Sequence, residues 1–240
     1  MSAILEVAGL SKSFGGLQAL KDVSFAVQPA EVFAVIGPNG AGKTTLFNCL
    51  SGALRSDAGD IHFNGQRING AEPHDICGHG LVRTFQIVKP FRGMTVAENV
   101  KVAAFSRHAS AKDAEQAALA VLRDVGMDDL ADVDADTLNV ADLRRLEIAR
   151  ALATEPRLLL LDEMLAGLTG PESRAMCDQI RTLSVRGIAV IVVEHSVPVV
   201  LSLCENAIVL NFGEMLTAGR TSDVIRDPRV QEAYLGSTGQ

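Results

Sequence analysis

Two short stretches of this chain bear side chains whose spacing can do chemistry. The first is Gly37-Pro38-Asn39-Gly40-Ala41-Gly42-Lys43-Thr44, followed by Thr45. Small residues at this spacing let successive backbone N–H groups converge on an anion, and a helix starting at the same point aims its positive end there. Lys43 then reaches β- and γ-phosphate oxygens as a point charge, and the Thr44 hydroxyl is a hard oxygen donor for Mg²⁺. Residues 37–45 therefore read as a cradle for a nucleoside triphosphate. The second stretch is Leu158-Leu159-Leu160-Leu161-Asp162-Glu163. A continuous apolar run ending in two carboxylates predicts a strand buried on both faces. Such a strand delivers Asp162 to the metal and Glu163 to the attacking water.

Elements must hold these groups in place. Ile4–Leu10 alternates as a strand does, and Val23–Val27 and Glu31–Ile36 follow, split by Pro29. A helix from about Thr44 to Leu50 follows the glycine cluster. Asp60–Phe63 is a short strand closed by the hairpin dipeptide Asn64-Gly65, and Leu81–Phe85 is another strand candidate. Between Thr95 and Ala153 strand-like runs are missing. Apolar residues there recur at helical spacing, as in Ala114, Ala117, Ala118, Val121, Leu122 and Val125. Strand character returns at Leu158–Leu161 and Ile188–Val193 around a helix over 171–186, then at Glu205–Leu210 and Met215–Ala218 before a terminal helix over Pro228–Leu235. The pattern predicts an α/β fold: a P-loop NTPase core with a mainly parallel sheet, an N-terminal antiparallel β part, and an inserted α-helical subdomain. The expected division of this single domain is a nucleotide-binding core over 1–86 and 154–240 and a helical subdomain over 87–153.

Composition narrows the classes. The chain has 240 residues, 48% of them apolar, enough for a sizeable core. Lys plus Arg total 22 and Asp plus Glu 29, a net charge of −7, which gives no basic field for nucleic acid. Apolar runs such as Ile188–Val193 fall far short of the roughly 18 residues of a membrane-spanning helix. The start, Met1-Ser2-Ala3-Ile4-Leu5-Glu6, lacks the basic and apolar regions of a secretion signal. The four cysteines, Cys49, Cys77, Cys177 and Cys204, show no CxxC spacing, so a reduced, cytoplasmic chain is expected.

Further motifs stand in order around the two phosphate motifs: Leu10-Ser11-Lys12-Ser13-Phe14-Gly15, Val82-Arg83-Thr84-Phe85-Gln86, and Val192-Val193-Glu194-His195. With them the chain resembles the ATP-binding subunit of an ATP-binding cassette (ABC) transporter over nearly its whole length. The resemblance implies that Phe14 stacks on adenine and that Gln86 senses Mg²⁺ and the catalytic water where the membrane subunit docks. It also implies that His195 contacts the γ-phosphate. Asp162, Thr44 and Gln86 become the expected metal set, and Glu163, His195, Lys43 and Gln86 the catalytic set, with ATP and Mg²⁺ bound. Phe91-Arg92-Gly93-Met94-Thr95-Val96-Ala97-Glu98-Asn99-Val100, Arg144-Arg145-Leu146-Glu147-Ile148-Ala149-Arg150 and Glu232-Ala233-Tyr234-Leu235-Gly236 resemble the branched-chain amino acid uptake branch. That branch implies a second ATPase subunit, two membrane permease subunits, a periplasmic solute-binding protein, and a place on the cytoplasmic face of the plasma membrane.

The chain also departs from the family pattern. Where an L-S-G-G-Q signature is expected stands Leu138-Asn139-Val140-Ala141-Asp142. Asn139 lacks the serine hydroxyl, Ala141 replaces a glycine, and Asp142 adds negative charge near an anion. Met164 stands where proline is usual, Thr169 where Asp or Asn is common, and Ala30 where glycine is usual. Since two family subunits face each other head to tail, a weak signature here implies two unequal ATP sites in a mixed pair. The alternative expectation is a nucleotide-binding scaffold that hydrolyses little. A DNA-repair or translation ATPase would need a long coiled-coil insert or two cassettes, which 240 residues do not hold.

Overall fold

The computed structural model describes residues 2–84 and 89–235. In chain order its strands are β1 (Leu5–Phe14), β2 (Leu17–Val27), β3 (Val32–Ile36), β4 (Ala58–Phe63), β5 (Gln66–Arg67), β6 (Leu81–Arg83), β7 (Leu158–Asp162), β8 (Ala189–Val193), β9 (Asn206–Asn211) and β10 (Glu214–Arg220). The helices are α1 (Lys43–Leu50), α2 (Pro73–His79), α3 (Val96–Ala104), α4 (Ala111–Asp124), α5 (Val140–Leu152), α6 (Gly170–Val185), α7 (Val197–Leu203), α8 (Thr221–Val224) and α9 (Pro228–Leu235).

The uninterrupted apolar runs become the middle of a six-stranded sheet of order β10-β9-β3-β8-β7-β6. All its ladders are parallel except β9 with β10. Successive side chains of a strand point to opposite faces, so each run feeds two cores. Val32, Ala34 and Ile36 of β3, Leu159 and Leu161 of β7, and Val190 and Val192 of β8 join the core shared with α3 to α7. Phe33, Val35, Leu158, Leu160, Ile191 and Val193 join the other, with α1 and the antiparallel sheet β2-β1-β4-β5. The expected α/β fold with an antiparallel N-terminal part and a helical stretch is what forms. No helix of the described residues is long and apolar enough to cross a membrane.

Three helices were not anticipated, α2, α7 and α8. α2 and α7 start at or beside a proline, and stretches of seven residues, or of four in α8, show too little period to stand out. β1 runs on to Phe14, past the alternation that ends at Leu10, because register shifts after Val7 and Ala8 break the pattern without breaking the pairing. Strand β6 ends at Arg83, and Phe85 of the expected strand lies outside the described residues.

Candidate functional site

The phosphate motif spans the end of β3 and the start of α1. Two glycines in it admit no side chain. A Cβ on Gly37 (φ 150°) would sit 2.1 Å from the Leu210 carbonyl oxygen, and one on Gly42 (φ 105°) 2.5 Å from that of Ala19. The loop is thus pressed against β9 on one side and β2 on the other. The β9–β10 turn stitches it further: Gly213 N–H donates to the Ala41 carbonyl (3.0 Å) and Lys21 N–H to the Gly213 carbonyl (2.8 Å). Helix α1 is anchored by buried Leu46, Phe47 and Leu50, so its N-terminus points into the site.

Lys43 is 6% exposed. Its Nζ donates to the carbonyl oxygens of Gly37 (2.7 Å) and Pro38 (2.9 Å). Burial lowers its pKa, while the carboxylates of Glu163 and Asp162 oppose that shift. Residues Asn39 to Thr45, with Phe14, Gly16, Leu17, Lys21, Glu163 and Phe212, line a cavity of about 780 Å³. Gly37 and Pro38 stand behind its wall and hold Lys43 instead. Phe14, 49% exposed, sits at the cavity edge with Lys12 Nζ 5.7 Å from its ring centre.

The two carboxylates divide as β7 ends. Asp162 closes the strand, paired with Val193. Glu163 turns out of it with φ 50°, its N–H still donating to the Val193 carbonyl (3.0 Å). That left-handed residue swings the Glu163 side chain toward the cavity, where His195 Nε2 is hydrogen-bonded to Glu163 Oε1 at 2.9 Å. Asp162 Oδ2 accepts from Arg83 Nη2 (3.0 Å), and Arg83 also donates to Asn48 of α1. The structure thus brings together the phosphate loop, Phe14, Asp162, Glu163 and His195. Gln86 lies outside the described residues.

Sequence reasoning missed several supporting groups. Arg83 was visible only as part of a motif. Glu194, 7% exposed, accepts from the Leu165 N–H (3.1 Å) and so holds the turn after Glu163. Burial raises the Glu194 pKa, the Leu165 N–H lowers it, and the nearby Glu163 charge raises it again. Phe212, 78% exposed with φ 46°, adds a second ring to the cavity wall, signalled only by a Phe-Gly pair between two strands. The Tyr234 hydroxyl accepts from the Gly37 N–H at 2.9 Å.

The donors available to a metal are hard oxygens: the exposed Thr44 hydroxyl and the Asp162 carboxylate. Among the described residues no cluster of three or more His, Cys, Asp or Glu could hold an ion. Such a sparse oxygen set fits Mg²⁺, which keeps much of its water and shares phosphate oxygens.

A family model described as ABC transporter matches residues 20–166, more than half of the chain. The chain belongs to the ABC transporter family. The high-affinity branched-chain amino acid transport ATP-binding protein BraF of Pseudomonas aeruginosa is 39% identical to this cassette, over 97% of this chain and 98% of BraF. The corresponding protein LivG of Escherichia coli is 37% identical, over 97% and 98% of the two chains. A crystal structure of the ADP conformation of MJ1267, an ATP-binding cassette of an ABC transporter, superposes with a TM-score of 0.90 at 30% identity, over 98% of this chain and all of that one.

The segment 138–142 is folded on itself. Asn139 caps α5: its side-chain oxygen accepts from the Asp142 N–H (2.9 Å), and its amide donates to Asp142 Oδ2 (2.7 Å). Arg145 donates to Asp142 Oδ1 (3.0 Å) and to the carbonyls of Val125 and Gly126 at the end of α4. Asp142 therefore pairs locally with Arg145.

Proposed function

We propose that this chain is the ATP-hydrolysing subunit of an importer for branched-chain amino acids or related small solutes. The observation that bears most weight is end-to-end similarity to BraF and LivG, together with a phosphate loop and catalytic carboxylate lining one cavity. In this reading ATP lies with its base on Phe14 and its phosphates along residues 37–45. Glu163 takes the proton of the attacking water, and Lys43 and His195 face the charge that develops on the γ-phosphate. Thr44, Asp162 and Gln86 would hold Mg²⁺, which would supply charge neutralisation at the phosphates. The helical segment 87–153 brings the signature to a second ATPase subunit. Gln86 and the residues after it pass the motion to two permease subunits at the cytoplasmic face, which receive solute from a periplasmic binding protein. Glu163→Gln should keep ATP binding and lower hydrolysis by about a hundredfold or more. Hydrolysis within tenfold of wild type would refute the assignment of the base, and no ATP binding by the wild type would refute the site.

We further propose that the two composite ATP sites are unequal when the partner is a different subunit. The support is the Asn139–Asp142–Arg145 network. It occupies the segment that would meet the partner's γ-phosphate and puts a carboxylate there. The paired Glu163 and His195 favour hydrolysis over a scaffold that only binds.

A further inference from the structure

We infer that the C-terminal helix α9 latches the phosphate loop through Tyr234, which makes Tyr234 a positioning residue for ATP. This rests on reading residues 37–45 as the ATP site. Gly37 is the first residue of that loop, and three contacts fix it. Its α-carbon is pressed against the Leu210 carbonyl, its carbonyl accepts from Lys43 Nζ (2.7 Å), and its N–H donates to the Tyr234 hydroxyl (2.9 Å). The Lys43 contact is spent when phosphate arrives, because the same ammonium must turn to the phosphate oxygens. The Tyr234 contact remains, and it then holds the loop at the geometry that phosphate needs. Helix α9 is a firm base for it: Val230 is 3% exposed in the core shared with the helices, and the Tyr234 ring packs against that core. The turn before α9 is tied by Asp227, which accepts from the backbone N–H of Arg229 (2.9 Å) and from its guanidinium (2.6 Å). Burial raises the Tyr234 pKa, so the phenol keeps its proton at neutral pH. A residue 197 positions away along the chain thus completes the loop.

The test is Tyr234→Phe in the full chain, which keeps the ring and removes only the oxygen. Calorimetry with Mg-ATP should show Kd raised about three- to tenfold, the size of one net hydrogen bond. Under turnover KM should rise more than kcat falls, and the melting temperature without nucleotide should move by no more than about 2 °C. A second readout needs no variant: in the wild type, hydrogen exchange should find the Gly37 amide protected. Fast exchange at Gly37, or Tyr234→Phe binding Mg-ATP as tightly as wild type, would overturn the latch. If Tyr234→Phe matched wild type in Mg-ATP binding and melting temperature while Tyr234→Ala lost both, Tyr234 would act by packing alone, which also overturns it. Failure of the site reading looks different: wild type would bind no Mg-ATP, while the Gly37 exchange would still report on the hydrogen bond.

Discussion

The side chain of Asp162 is 7% exposed and shares an oxygen with Arg83, whose side chain is 8% exposed. Two charges this far from water offset each other's desolvation only while both are present. Arg83→Met should therefore destabilise the cassette by about 3–5 kcal/mol in urea unfolding, and adding Asp162→Asn should recover part of the loss. A single variant within about 1 kcal/mol of wild type would show that the pair is not needed. Glu194 makes a different prediction. Its pKa is raised in the fold, mainly by burial. Above the ordinary carboxylate range the unfolded chain ionises at this residue while the folded chain still holds the proton. Folding then binds protons, and stability falls as pH rises toward the folded-state pKa. Below both pKa values the effect vanishes. Glu194→Gln keeps an oxygen for Leu165 N–H and cannot ionise, so its melting temperature should gain on wild type as pH rises from about 4 to 7. A gap that stays constant over that range would refute the idea.

At the scale of elements, the entry to β3 shows a sequence departure turned into backbone geometry. Ala30 stands where the family resemblance leads one to expect glycine, and it adopts φ 60°. A non-glycine residue in that region costs about 1–2 kcal/mol, against about 0.5–1 kcal/mol of chain entropy that glycine adds when unfolded. Ala30→Gly should thus raise stability by roughly 0.5–1 kcal/mol, read as an increased midpoint in denaturant. The carboxylate-tipped leucine run and the glycine cluster were legible because each names one element and one chemistry at once. β7 ran one residue past the expected Leu158–Leu161, and α1 began one residue before the expected start. What stayed hidden was of another kind. Arg83, Glu194, Phe212 and Tyr234 reach the site from four places in the chain, and each is an ordinary residue type until the fold closes around it. Their meaning lies in contacts of long sequence separation, such as the Gly37 N–H on the Tyr234 hydroxyl, which no local period encodes. The pairing of Asp142 with Arg145 is of the same kind, because it depends on the end of α4 offering its carbonyls.

For the whole molecule, the unequal-site proposal makes its own prediction. In that arrangement Asp142 of this chain would face the partner's nucleotide, not its own. Asp142→Gln should therefore raise turnover of the mixed complex when the partner's catalytic site is intact. It should do nothing when this chain's partner bears its own disabled carboxylate. Solute-stimulated phosphate release from reconstituted complexes reads both cases, and an equal response in the two would reject the asymmetry.

Strand β3 has a consequence for how the protein is made. Its two neighbours in the sheet are β8 and β9, which begin at residues 189 and 206. A growing polypeptide leaving the ribosome exposes β3, and the loop it supports, long before either neighbour exists. Both edges of that apolar strand stay bare while most of the chain is synthesised, and bare strand edges invite association with other chains. Shielding in the meantime falls to whatever meets the nascent N-terminal half.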